Sequence, residues 1–176
     1  MIEEDWNKRR MTGEAQRILK QIPQRANDRG LHVVDESSIV VLALWSLLLW
    51  ELKIGRVALE RTGVDHFNLA RDIDRLLFEK AEEHPVAFDT KRKQLVLLKT
   101  EDLYQAWDFA ALLEPLLQAA EHEATSLGHN YVGSEHLLLA IVRTACPKLR
   151  AVLEGHSIEQ DRLRTAVQQF LAPNSR

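Results

Sequence analysis

The sequence predicts an all-α protein, a pseudo-twofold pair of helical half-domains joined by a short β-hairpin or extended linker. Three observations point there. Apolar residues recur at helical spacing along most of the chain, and the run from Ile39 to Trp50 is apolar except for Ser46. The second half also repeats the first at an offset of 94 to 98 positions. With 176 residues, 45% of them apolar and 28% charged, the chain can bury a sizeable core without disulfide or metal staples.

The elements follow in order. Thr12 precedes the face formed by Ala15, Ile18, Leu19 and Ile22 and can cap that helix through its hydroxyl. Pro23 is expected to kink or end the helix. Ile39 to Trp50 reads as a buried central helix, because no polar face interrupts it. Gly63 suits a turn before the amphipathic face of Leu69, Ile73, Leu76 and Leu77. Pro85 to Asp89 and Gln94 to Leu98 flank the polar loop Thr90-Lys-Arg-Lys93, the pattern of a hairpin. Helix resumes after Thr100, with Glu101 and Asp102 placed for its positive end. Pro115 is expected to divide the stretch from Asp102 to Leu127 into two helices, and Gly128 to stop the second. Leu137 to Val142 forms a further helix that Cys146-Pro147 ends.

The repeat ties these elements together. Leu163, Val167, Phe170 and Leu171 lie 94 positions after Leu69, Ile73, Leu76 and Leu77. His129, Ser134, Leu139, Ala140 and Ile141 lie 97 after His32, Ser37, Leu42, Ala43 and Leu44, and Leu117 and Ala124 lie 98 after Leu19 and Ala26. Each half is then a helix, a loop, a buried helix and two shorter helices.

Charge and cysteine usage exclude several classes. Lys and Arg number 23 against 26 Asp and Glu, a net charge of -3, which argues against a nucleic-acid surface. The single Cys146 excludes an intramolecular disulfide and fits a reducing compartment. The apolar run at 39–50 is too short for a membrane span, which needs about 20 residues. The start, Met-Ile-Glu-Glu-Asp-Trp, has no basic leader before an apolar core. A cytoplasmic protein with no membrane partner is expected.

The sharpest stretch is Glu123-Ala-Thr-Ser-Leu-Gly-His-Asn-Tyr-Val-Gly-Ser-Glu-His-Leu-Leu-Leu-Ala-Ile-Val142. It closely resembles the signature of the Clp N-terminal repeat, found at the front of ClpA-, ClpB- and ClpC-type AAA+ unfoldases. Thr12-Gly-Glu-Ala-Gln-Arg-Ile-Leu19 is similar to the opening of a first, divergent repeat. The resemblance implies a pseudo-twofold domain of about eight helices. The expected organisation is an arm at 1–11, a first Clp repeat at 12–80, a linker or hairpin at 81–100, a second repeat at 101–172 and a tail at 173–176.

The resemblance also implies candidate binding residues. In ClpC-type members the motif glutamate and a threonine near the start of each repeat form pockets for phosphoarginine, a degradation mark. Here the second repeat keeps Glu135, but its threonine position is Ala110. The first keeps Thr12, while its glutamate and histidine positions are Ser38 and Ile39. Glu135, Ser134, His136, Thr12 and Ser38 are therefore the candidate ligand-binding residues, with each pocket keeping half its polar equipment. A plainer reading stands beside it: Ser134 caps a helix, Glu135 suits the positive helix end, and His129 and His136 make packing hydrogen bonds.

Other chemistry is poorly supported. His122, His129 and His136 recur every seven residues, but Gly128 and Gly133 interrupt any continuous helix between them, so no metal or other cofactor is expected. The chain has no Gly-x-x-x-x-Gly-Lys-Ser/Thr loop and so no ATPase motor. Trp45, Trp50 and Trp107 have apolar neighbours and read as core; Trp6 lies in a charged arm, where it anchors to a partner or folds back. Lys91-Arg92-Lys93 is a solvated loop tip or a dock for an acidic partner. The expected function is a non-catalytic protein-binding module of the Clp system, its partners a Clp unfoldase or peptidase, substrate proteins or adaptors. The rival reading is a sensor of a small ligand or modified amino acid in the groove between repeats.

Overall fold

The computed structural model describes residues 8–31, 34–49, 53–83, 87–89, 94–96 and 109–171. Trp6, His32, Trp50, Lys91 to Lys93, Trp107 and the helix start expected after Thr100 lie outside the described residues. Those described form eight helices: α1 Gly13–Asp28, α2 Glu36–Leu49, α3 Lys53–Arg61, α4 His66–Glu83, α5 Phe109–Ser126, α6 Ser134–Thr144, α7 Pro147–Gly155 and α8 Gln160–Leu171. Between α4 and α5, β1 (Ala87–Asp89) pairs antiparallel with β2 (Gln94–Val96), Phe88 opposite Leu95.

Local chemistry sets the helix ends. Thr12 is extended at the start of α1, and its Oγ1 accepts the Ala15 amide at 3.3 Å. At the other end Gly30 is left-handed at φ 64°, which lets Leu31 N–H reach Ala26 C=O and Gly30 N–H reach Asn27 C=O. The same pair of bonds closes α5 around Gly128, at φ 77°, which sits 98 positions later. Gly63 closes α3 in this way, and Ser157, 94 positions on, closes α7 at φ 56° despite carrying a side chain. The repeat therefore extends to backbone conformations.

Neither proline ends a helix. α1 runs through Pro23 without ending, and α5 runs through Pro115 undivided from Phe109 to Ser126. A proline inside a helix costs about 3 kcal/mol. Burial of Ile18, Leu19, Ile22 and Ala26 on α1, and of Leu113, Leu116, Leu117 and Ala120 on α5, outweighs that cost.

Packing obeys an exchange of the two halves. α2 and α6 cross at the centre, and each is buried on nearly every side, as the apolar run predicts. α1 lies on α2 as α5 lies on α6, and α2 holds α4 as α6 holds α8. Crossed contacts follow the same rule: α3 packs on α8 as α7 packs on α4, and α1 touches α6 as α5 touches α2. The halves are interleaved around one core. Among the described residues no helix is long and apolar enough to cross a membrane.

Candidate functional site

The start of α6 gathers the polar residues of the second half. Gly133, not Ser134, is the helix N-cap, so Ser134, Glu135 and His136 take the first three helical positions. The capping role expected for Ser134 is overturned. Its hydroxyl is buried and has no hydrogen-bond partner, because the helix begins one residue earlier than a serine cap requires.

His136 does the capping from inside the helix. Gly133 N–H donates to His136 Nδ1 at 2.8 Å, so that nitrogen carries no proton. The proton sits on Nε2, which is 2.8 Å from His129 Nδ1 and donates to it. Burial, with His129 beside it, pulls the His136 pKa down from 6.5 to about 4. A neutral ring at the positive end of a helix is what the dipole favours. The seven-residue spacing of His129 and His136 is thus no accident: the loop between Gly128 and Gly133 folds back and brings the rings together. His122 stays exposed on α5.

Glu135 has the opposite problem. It is only 1% exposed, and neither carboxylate oxygen has a hydrogen-bond partner. The carboxylate lies over the backbone of Gly133, where a Cβ would sit 2.4 Å from each oxygen. Only glycine leaves that space open. Burial raises the carboxyl above its ordinary pKa, and the charge of Glu14 on α1 adds to the rise. Tyr131 stacks on His129 with ring centroids 5.2 Å apart, and burial and the facing Glu135 hold its own pKa high.

His129, Glu135 and His136 offer ligand atoms within 4.8 Å of one another, close enough to hold a metal ion. The tautomer opposes it. An ion on Nε2 of His136 would force the proton to Nδ1, head-on against the Gly133 N–H. The residues present fit a hydrogen-bond relay better than a metal cage.

Thr12 is drawn to this site from the other half. Its N–H donates to Val132 C=O at 2.9 Å, Val132 N–H donates to Arg10 C=O at 3.2 Å, and Met11 and Val132 form a parallel bridge. Arg9 pins the same segment to α5 through Glu114 at 2.8 Å and Glu121 at 3.3 Å. An open groove of about 380 Å³ results, lined by Lys8, Arg9, Arg10, His129, Asn130 and Tyr131 among others. Thr12 is thus joined by backbone hydrogen bonds to the loop that leads into Glu135, and the side chains of both lie outside the lining of that groove.

The matching place in the first half is closed. Asp35 precedes α2, and its Oδ1 accepts Ser38 N–H at 2.7 Å, Ser37 Oγ–H at 2.8 Å and Ser38 Oγ–H at 2.6 Å. Ser38 is buried and its hydroxyl is spent on that cap. The start of α2 faces α5 across a smaller opening of about 180 Å³ that Ser37, Leu112 and Pro115 help to line. Sequence reasoning missed Asp35, although an aspartate three residues before Ser38 is an ordinary N-cap signal. It also missed Tyr131 and Glu14, which reach Glu135 only through the fold.

The histidine relay and the buried carboxylate lie in one segment, and that segment has relatives. Residues 108–176 match the family described as the Clp repeat (R) N-terminal domain. This part of the chain is similar to a Clp repeat. The chloroplastic chaperone protein ClpC3 of Oryza sativa subsp. japonica is 39% identical over 67 residues, which is 38% of this chain and 7% of that protein. A ClpA homolog, the ATP-binding subunit of the ATP-dependent Clp protease of Porphyra purpurea, is 36% identical over 67 residues, 38% of this chain and 8% of that one. The matched Clp repeat thus spans less than a tenth of these relatives. Likeness of fold reaches further. A solved chain described as "Preliminary structural investigations of a malarial protein secretion system" superposes with a TM-score of 0.63 at 16% identity. That superposition covers 92% of this chain and 94% of the other, so the two chains share one fold across both halves.

Proposed function

We propose that the chain is a non-catalytic protein-binding module of the Clp proteolysis and chaperone system, acting in the cytoplasm. It would dock on a Clp unfoldase–peptidase machine or capture substrates or adaptors. The match of residues 108–176 to the Clp repeat supports the system, and the lone Cys146 suits a reducing compartment. The observation that carries a binding role is Glu135: a carboxylate 1% exposed, faced by the Tyr131 hydroxyl but with no well-formed hydrogen bond to either oxygen, costs free energy that a structural residue would avoid. A cationic group entering beside Tyr131 would supply the missing donors.

Affinity capture from lysate, followed by mass spectrometry, tests this reading. Clp ATPase or peptidase subunits on the wild-type protein, lost from Glu135→Gln, would support it. Capture unaffected by that substitution would remove Glu135 from the binding surface.

A second reading rests on the groove itself. Lys8 and Arg10 put positive charge on one wall, with Arg9 held by Glu114 and Glu121, while Glu135 faces Tyr131, which would suit a ligand carrying both charges, such as a phosphoarginine-like amino acid. A melting shift with such a ligand and no protein captured would favour the sensor. At 100 times its Kd a ligand adds about 2.7 kcal/mol.

A further inference from the structure

We propose that the exposed face of α4 is a docking surface for a second copy of this chain, laid antiparallel across a two-fold axis. α4 turns Leu69, Ile73, Leu76 and Leu77 into the core. On its outer side Phe67 is 75% exposed and Phe78 is 61% exposed, the two most exposed large apolar side chains among the described residues. At 100° per residue, positions 67, 71, 74 and 78 fall within about 60° of one another, opposite the buried stripe. Arg71 and Asp74 occupy the two middle positions. The face therefore reads Phe, Arg, Asp, Phe over about 16 Å.

That order is self-complementary. A two-fold axis centred between residues 72 and 73 places Phe67 against Phe78 of the second copy and Arg71 against its Asp74, and each contact occurs twice. An isologous interface demands this arrangement, in which residue i meets j and j meets i. A parallel pairing, or an unrelated acidic or basic partner, would use only half of the pattern. Arg71 has its side chain 73% exposed and contacts the neighbouring Asp72 at 3.7 Å, so it can turn outward. Asp74 keeps its side chain 41% exposed; its buried Oδ1 is ion-paired with Arg29 at 2.6 Å, which leaves its exposed side for a second guanidinium. Arg29 itself is held over the Trp45 ring, 4.3 Å from its centroid, and so presents Asp74 in a fixed position.

Size sets the strength. A phenylalanine buries roughly 150–250 Å² when wholly covered, so four partly exposed rings leave on the order of 500 Å² to gain. A stable interface needs about 1,200 Å² or more. The dimer is therefore weak and reversible, populated near ~1 mM and absent near ~10 µM.

Sedimentation velocity across that range tests it, with Arg71→Asp, Asp74→Arg and Phe78→Ser each first checked for an unchanged melting curve. Each variant alone should remain monomeric, the charge variants because like charges then meet across the axis. Mixing Arg71→Asp with Asp74→Arg should restore the dimer, since each strand of the pairing is complementary again; Phe78→Ser should not be rescued by either. A wild-type protein that stays monomeric at ~1 mM, or a dimer that all three variants preserve, would overturn the proposal. If Asp74→Arg unfolds through the loss of Arg29, Phe67→Ser, which leaves the Arg29–Asp74 pair in place, supplies the test beside Arg71→Asp: both should stay monomeric at ~1 mM, and a folded Phe67→Ser that still dimerises would overturn the proposal.

Discussion

The two repeats solve the same backbone problem and differ in where they leave polar groups. At the start of α2, Asp35 closes the helix and absorbs both serine hydroxyls. At the start of α6 the N-cap residue, Gly133, has no side chain to offer; His136 takes the Gly133 amide, while the Ser134 hydroxyl and the Glu135 carboxylate stay buried without a well-formed hydrogen bond. A second contrast lies behind the first. Glu123 on α5 is wholly buried and gathers Arg143 at 3.3 Å, Gln160 at 3.2 Å and Arg164 into one network joining α5, α6 and α8. Its counterpart 98 positions earlier is Arg25, which lies over Trp45, and the counterpart of Arg143 is Ser46, whose buried hydroxyl has no partner. One repeat is settled through apolar packing and the other through charge, and among the described residues it is the charged one that keeps a carboxylate with neither oxygen hydrogen-bonded.

That contrast can be broken first at its shared part. Leu42 and Leu139 are equivalent and fully buried, so Leu42→Asp and Leu139→Asp should each unfold the domain. A cooperative melt at the wild-type temperature in either variant would contradict the interleaved core. The next largest effect separates the repeats. Glu123→Ala should cost about 3 kcal/mol, because Arg143 and Arg164 lose their buried partner, whereas Arg25→Ala should cost about 1 kcal/mol or less. Denaturant melts of the two variants would measure the difference.

Protonation sharpens the comparison. The folded pKa of His136 lies below its unfolded value, so its neutral form contributes stability that is present above about pH 6.5 and lost as pH falls from there toward 4. Melting temperature should drop through that window, and His136→Gln should flatten the drop. Glu135 works in the other direction. Its raised pKa means that ionisation weakens the fold at neutral pH, a cost relieved on acidification. Glu135→Gln should therefore stabilise the protein by about 1 kcal/mol at pH 7, with the gain fading in acid. Asp35→Ala, which removes the first repeat's cap, should destabilise by about 1 kcal/mol at the same pH.

Much of the fold was legible because the core obeys period and repeat. Ile39 to Leu48 had no polar face to offer solvent, and the 94-to-98 offsets carried through to the glycine and serine turns at Gly30, Gly128, Gly63 and Ser157. Pro23 and Pro115 misled, since a local rule about one missing amide says nothing of the apolar surface buried on either side of it. The site was legible only in part. Glu135 and His136 stood out by resemblance, but the Gly133 cap, the His129–His136 bond and the approach of Thr12 depend on a chain reversal and a cross-repeat contact. Spacing within one helix encodes neither.

The bond from Thr12 N–H to Val132 C=O spans the seam between the repeats. A ligand seated there, touching α1 on one side and the α6 loop on the other, would act as a fastener as well as a cargo. Occupancy would tighten the grip of each half on the other, and loosening the seam would release what is bound. Thermal resistance of the whole domain then becomes a gauge of occupancy, readable without any label on the ligand.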